Sequence, residues 1–214
     1  MIRHVLTAAL VASTLTVLSG PSLAGPPTCR LLLDPTGDTT ATQPTGTDPA
    51  PGGPFVPAEP SLDLVSADLA SNRDYVTAVL RVAHLGAPAP TSPTGSSYLL
   101  SFLLNETRFT LYAIRDVTGW QRFLLLPGSE VGTQAIAVDG TFDTARNEVR
   151  ISATTEDFEQ LGGRAHPGTQ ATELTAATQR ALGAAGSYTF QTADAATAKR
   201  NYRLGSASCV TPGR

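Results

Sequence analysis

Tyr75-Val76-Thr77-Ala78-Val79-Leu80-Arg81-Val82-Ala83-His84 alternates: Val76, Ala78, Leu80 and Val82 point one way, Thr77 and Arg81 the other. Period two over about eight residues predicts a half-buried strand. Upstream, Ser71-Asn72-Arg73-Asp74 reads as a turn, and Ser61 to Leu69 as a strand with Leu62, Leu64 and Ser66 on one face. Downstream, a Pro-rich loop runs from Gly86 to Gly95, and Tyr98, Leu100, Phe102 and Leu104 make a second apolar face. Asn105-Glu106-Thr107 matches a glycosylation sequon but reads here as a hairpin turn, after which Phe109 to Ile114 returns as a strand. Phe123 to Leu126 and Ala135 to Val138 continue the meander. Phe142 to Asn147 is a turn, with Asn147 suited to a positive φ, and Glu148 to Ala153 alternates again with Val149 and Ile151 inward and Arg150 outward. Seven or eight short strands at roughly even spacing predict a mostly-β fold: an antiparallel β-sandwich of jelly-roll or Ig-like type.

After Thr154 the rhythm changes, and one or two short helices are expected in the C-terminal part. Glu156 to Leu161 carries acids at its start and is stopped by Gly162-Gly163. Leu174, Ala177, Thr178, Ala181 and Leu182 also have helical spacing, although their apolar bulk is small. From Ser187 the chain returns to strand-like and loop residues before Cys209.

The ends speak to compartment. Arg3 and His4 precede an uncharged apolar run from Val5 to Leu18, followed by the small residues Ser22-Leu23-Ala24. This is the plan of a secretory signal peptide over residues 1–24, and the apolar run is shorter than the roughly 20 residues a membrane-spanning helix needs. The expectation is a secreted, extracellular chain with no transmembrane segment after cleavage, and a single domain over residues 25–214. The two cysteines, Cys29 and Cys209, lie near the two ends of that domain. An even count in an exported protein favours a disulfide. Cys29 to Asp34 reads as a short strand stopped by Pro35-Thr36-Gly37-Asp38, and residues 35–60 form a Pro/Thr/Gly-rich internal loop.

Composition narrows the partners. Charged residues are 15% of the chain, and beyond residue 24 fourteen Lys and Arg stand against eighteen Asp and Glu, a net charge of −4. Such a balance gives no footing for nucleic acid or an anionic membrane surface.

Several segments carry a resemblance in order. They are Cys29 with Asp34-Pro35-Thr36-Gly37-Asp38, then Leu62-Asp63-Leu64-Val65-Ser66-Ala67-Asp68 and Val76 to Val82. Gly140-Thr141-Phe142-Asp143 leading to Glu148-Val149-Arg150-Ile151 follows, and Tyr202 and Ser208-Cys209-Val210 close the set. Together these resemble uncharacterised secreted β-sandwich proteins of actinobacteria. More distantly they are similar to DOMON and family 9 carbohydrate-binding modules and to the β-sandwich modules of secreted subtilisin-like proteases. The resemblance implies a sandwich fold more than an activity, since one fold hosts many roles.

Catalytic signals are weak. Gly128-Ser129-Glu130-Val131-Gly132 lacks the order of a nucleophile elbow, and beyond residue 24 there are two histidines. His84 shares the parity of the buried face at a strand end, and His166 precedes Pro167 in a loop. Glu156, Asp157 and Glu159 suit a solvated helix start better than a pair of glycosidase carboxylates. A Met-ligated haem, as in DOMON-like relatives, is unsupported because Met1 is the only methionine. The expectation leans away from an enzyme and names no required cofactor.

Two binding leads remain. Trp120, the only Trp, follows Gly119, and Tyr112 lies on the strand before it. If displayed, these rings offer a flat π surface to a sugar; Trp120 buried in the core is the alternative. Asp34 and Asp38 flank a tight turn and place two hard oxygens together, with Asp63 or Asp68 as further ligands for calcium; an Asp that starts a turn through its own backbone is the plainer reading. The expectation is a secreted non-catalytic binding or interaction module for a polysaccharide or cell-envelope component. The alternatives are an accessory or catalytic protein of a secreted hydrolase or protease system, and a structural envelope protein with no small ligand.

Overall fold

The computed structural model describes residues 29–39, 59–86, 95–128, 134–182 and 189–213. The expected signal segment 1–24, residues 40–58 of the internal loop and residues 87–94 of the Pro-rich loop lie outside the described residues. Twelve strands and one helix are described: β1 (Leu32–Leu33), β2 (Leu64–Ser71), β3 (Tyr75–Val82), β4 (Gly95–Leu104), β5 (Thr107–Asp116), β6 (Gln121–Pro127), β7 (Ile136–Ala137), β8 (Asp139–Asp143), β9 (Glu148–Thr154), α1 (Thr155–Gln160), β10 (Gln170–Leu182), β11 (Thr189–Thr197) and β12 (Tyr202–Arg203). They form two antiparallel sheets, β1-β2-β3-β9-β8 and β11-β10-β4-β5-β6-β7, with β12 pairing to β10. The sandwich read from the alternation is the observed fold.

The core lies between the sheets. From one come Leu64, Leu69, Val76, Leu80, Val149 and Ile151; from the other come Tyr98, Leu100, Phe102, Phe109 and Leu111. Each set occupies alternate positions, because successive side chains of a strand point to opposite faces. β2 departs from simple alternation. Leu64 pairs Val82 but Ser66 pairs Arg81, so a bulge intervenes. The extra residue switches parity: the inward set becomes Leu64, Ala67 and Leu69, and Ser66 does not share a face with Leu64 as the alternation had predicted.

The hairpin between β4 and β5 turns on Asn105 and Glu106, with φ of 48° and 69°. Two positive φ values match the strand twist of a tight two-residue turn. Asn147 has φ of 56°, as expected from its place before β9. Its carbonyl accepts Val82 N–H at 3.1 Å, and its side-chain oxygen accepts Leu85 N–H at 2.9 Å.

α1 matches the first of the two expected helices. Thr154 caps it by accepting Asp157 N–H, while the Asp157 carboxylate accepts Thr154 N–H at 2.7 Å. This reciprocal pair satisfies two otherwise orphaned donors. Phe158 is buried, its ring centroid 5.2 Å from that of Phe109. Gly162, at φ 79°, ends the helix, and Gly163 lets the chain pass Phe109: a Cβ there would lie 2.4 Å from Phe109 Cζ.

The second expected helix is a strand. Leu174 to Leu182 falls in β10, hydrogen-bonded to β4 on one side and β11 on the other. Leu174, Ala176, Thr178 and Arg180 are buried in alternation. Small residues at mixed three- and two-residue spacings satisfy both periods, and pairing on both flanks decides for the strand.

β3 is covered on both faces rather than half-buried. Thr77 and Val79, on its outer face, are fully buried, and Val79 packs with Ala70 and Val210. The C-terminal tail lies over this face. Gly213 N–H donates to Thr77 Oγ1 at 2.7 Å, and Ser152 Oγ donates to Gly213 O at 2.9 Å. A disulfide joins Cys29 to Cys209, with Cα atoms 5.1 Å apart, and so anchors the tail at its start. Beside the tail, Arg81 bridges Asp68 at 2.6 Å and Glu148 at 2.8 Å, and Glu148 also pairs Arg150 at 3.1 Å. Among the described residues, no helix is long and apolar enough to cross a membrane.

Candidate functional site

Trp120 stands on the four-residue connection between β5 and β6 and is 46% exposed. The connection is held by Asp116. Its Oδ1 accepts Thr118 N–H at 2.9 Å, the Thr118 hydroxyl at 2.6 Å and Trp120 N–H at 3.0 Å. The backbone closes the same loop: Asp116 N–H donates to Trp120 O at 2.9 Å, and Gly119 N–H donates to Asp116 O at 3.2 Å with Gly119 at φ 89°. The Thr118 hydroxyl, with the backbone donors behind it, holds the Asp116 carboxyl below the usual carboxylate range, against a smaller opposing effect of burial. The result is an ordered tip that displays Val117 and Trp120 to solvent. A backbone held in this way spares the loop part of the ordering cost of binding.

Beside the tip is an open cleft lined by Arg115, Asp116, Val117, Thr118, Gln121 and Phe142. Phe142 comes from β8 of the facing sheet, so the cleft sits where the two sheets meet at one end of the sandwich. Arg115 lies over the Phe142 ring at 5.1 Å, a cation–π contact.

Tyr112 does not join this surface. It is buried on the outer face of β5 with Ile114, Leu124 and Leu126, and its ring packs edge-on against Phe190 at 6.1 Å. The display expected of Tyr112 is not seen, because this outer face is apolar and covered. Burial pushes the Tyr112 phenol up to about 12, with Ser97 pulling the other way.

The acidic residues rearrange the calcium expectation. Asp34 and Asp38 come together with Asp194 of β11, their ligand oxygens within 4.8 Å of one another. Asp63 is turned to the loop instead: both its oxygens accept Gly37 N–H, at 3.0 and 2.9 Å. Asp68 is committed to Arg81 and to Leu31 N–H. Asp194 was not legible as a partner because it lies on β11, 160 positions from Asp34 in sequence. Its Oδ2 accepts Leu64 N–H at 2.8 Å. Burial raises the Asp34 carboxyl to about 7, aided by its hydrogen bond to Asp194 and by the charges of Asp194, Asp38 and Asp63. Burial raises Asp194 too. Three carboxylates supply part of the six to eight oxygens that calcium takes.

His84 is exposed, because β3 ends at Val82 and the buried parity does not extend to it. His166 is exposed and lies 3.5 Å from Glu159. Asp157 is spent on the helix cap. Comparison with known protein families, with curated proteins and with solved structures found no match.

Proposed function

We propose that this chain is a secreted, non-catalytic β-sandwich that binds a carbohydrate or cell-envelope polymer through the cleft beside Trp120. One observation carries the reading: an exposed Trp on a tip that Asp116 holds in place, next to an open cleft with polar side chains. An indole face complements the apolar face of a pyranose, and the polar side chains of the neighbouring cleft supply orientation. Secretion is supported by the plan of residues 1–24 and by the disulfide, which persists in an oxidising compartment.

Depletion assays of the oxidised chain (residues 25–214) on cell-wall preparations and insoluble polysaccharides test the proposal. Binding that falls at least about tenfold in Trp120→Ala, with an unchanged melting midpoint, is the expected result. Retention by no polymer, or retention indifferent to Trp120, overturns it.

A further inference from the structure

The two sides of the Cys29–Cys209 bond are held unequally. On the Cys29 side, Leu31 and Leu32 belong to the core between the sheets. Leu31 N–H donates to Asp68 Oδ1 at 3.0 Å, β1 pairs with β2, and Cys29 O accepts from Arg200 Nη2 at 2.7 Å. On the other side the chain is fixed through Tyr202 and Leu204, both buried, and through Gly205, whose N–H donates to Ser71 Oγ at 2.7 Å. Beyond Cys209 the hold thins. Val210 packs on Ala70 and Val79, and Gly213 is bonded to the hydroxyls of Thr77 and Ser152. Ordering the backbone from Cys209 to Gly213 costs more conformational entropy than one small apolar contact and two such hydrogen bonds return. The disulfide is therefore what keeps the tail down.

The face beneath the tail tolerates water. The hydroxyls of Thr77 and Ser152 are already bonded to each other at 2.8 Å, and Asp68, Arg81, Glu148 and Arg150 form ion pairs beside them. The bulky apolar side chains of β3 and β9 lie on the opposite face, between the sheets. Loss of the tail thus wets a mostly polar face and leaves the core closed. The bond itself is within reach of solvent, with Cys209 exposed and Cys29 partly so. Gly213 lines an open cleft with Asp139, Gly140, Thr141, Arg150 and Ser152, so the end of the tail is one wall of a recess on that same face.

We propose that the tail from Cys209 to Gly213 is a redox-released strap. A dithiol that reduces Cys29–Cys209 frees it from the outer face of β3 and β9, the sandwich stays folded, and the cleft loses its Gly213 wall. A thiolate of the dithiol attacks Cys209 Sγ, the more exposed sulfur. The S–S bond breaks with its electron pair going to Cys29 Sγ, which takes up a proton. The second thiol of the reductant then displaces Cys209 Sγ, which is protonated in turn. Two electrons and two protons have passed to the protein, and the dithiol leaves as a disulfide. The device does not involve the Trp120 cleft.

The test treats the oxidised chain (residues 25–214) with dithiothreitol in the absence of denaturant and follows amide hydrogen exchange by mass spectrometry. The bond should be reduced, and exchange in the tail should quicken at least about tenfold, while β3, β4 and β9 keep their protection. Val79 should become open to hydroxyl-radical labelling. A chain carrying both Cys29→Ala and Cys209→Ala should show the same free tail without reductant; if it does not fold, native reduction of the wild-type chain decides. A bond that resists native reduction overturns the strap, as does a tail equally protected with and without it. Strands that lose protection together with the tail also overturn it, since the disulfide is then a staple of the whole domain.

Discussion

Trp120 donates its backbone N–H to Asp116 Oδ1 at 3.0 Å, so one carboxylate at the end of a strand holds the backbone that carries the one tryptophan of the chain. Asp116→Ala removes three hydrogen bonds at once. Hydrogen bonds to charged groups contribute roughly 1.5–3 kcal/mol each at most, and exposure of the loop reduces that sum to about 1–2 kcal/mol here. Urea melts should show that loss, and polymer affinity should fall further than stability does, because the backbone that carries the indole is no longer held. The same carboxylate gives a pH signature. Its folded pKa is depressed, so its contribution is present above the unfolded value and is lost as pH falls through the folded one. Asp116→Asn should flatten the acid limb of the stability curve.

Asp34 gives the opposite slope. Its folded pKa is raised to about 7 from 3.8, so the folded state holds a proton that the unfolded chain has released. Stability should be highest below about pH 4 for this group and decline as pH rises to about 7. Asp34→Asn should remove the decline and raise the melting midpoint at pH 8. Calcium competes with that proton, so a calcium-induced rise in midpoint should be seen at pH 8, fade toward pH 4 and reverse with EGTA. An unchanged midpoint leaves the three aspartates as a proton-sharing cluster alone.

Ser152 ties the C-terminal tail to the sheet through Gly213 O and Thr77 Oγ1, at 2.9 and 2.8 Å. Ser152→Ala leaves buried polar partners behind and should cost about 1–3 kcal/mol. Reduction of Cys29–Cys209 releases the start of the same tail. The chain-entropy model for a separation of 180 residues puts the bridge at roughly 5 kcal/mol at most. Thermal melts with and without reductant should therefore show a larger drop than Ser152→Ala produces.

Gly163→Ala drives a methyl group to 2.4 Å from Phe109 Cζ. Overpacking of this kind costs typically about 1–3 kcal/mol, and a chemical melt of the variant should show it.

The sandwich was legible because β3, β4 and β9 each alternate over a full strand. The turns at Asn105 and Asn147 were legible because their chemistry is local. What the sequence hid was relational. The covered face of β3 depends on a tail more than 120 positions away, so the face of Thr77 read as solvated. β10 is rich in Ala and Thr, and such small side chains leave the period ambiguous until pairing settles it. Trp120 was found from residue type alone. Asp194 required the meeting of segments 160 positions apart, which no local spacing encodes.

The account stands most directly on the state of Trp120, and intrinsic fluorescence reads it without a competing tryptophan. Emission should be that of a solvated indole, quenched by iodide in the free chain and shielded once a retained polymer is added. A blue-shifted, iodide-resistant emission in the free chain, or quenching unchanged at saturating polymer, would contradict it.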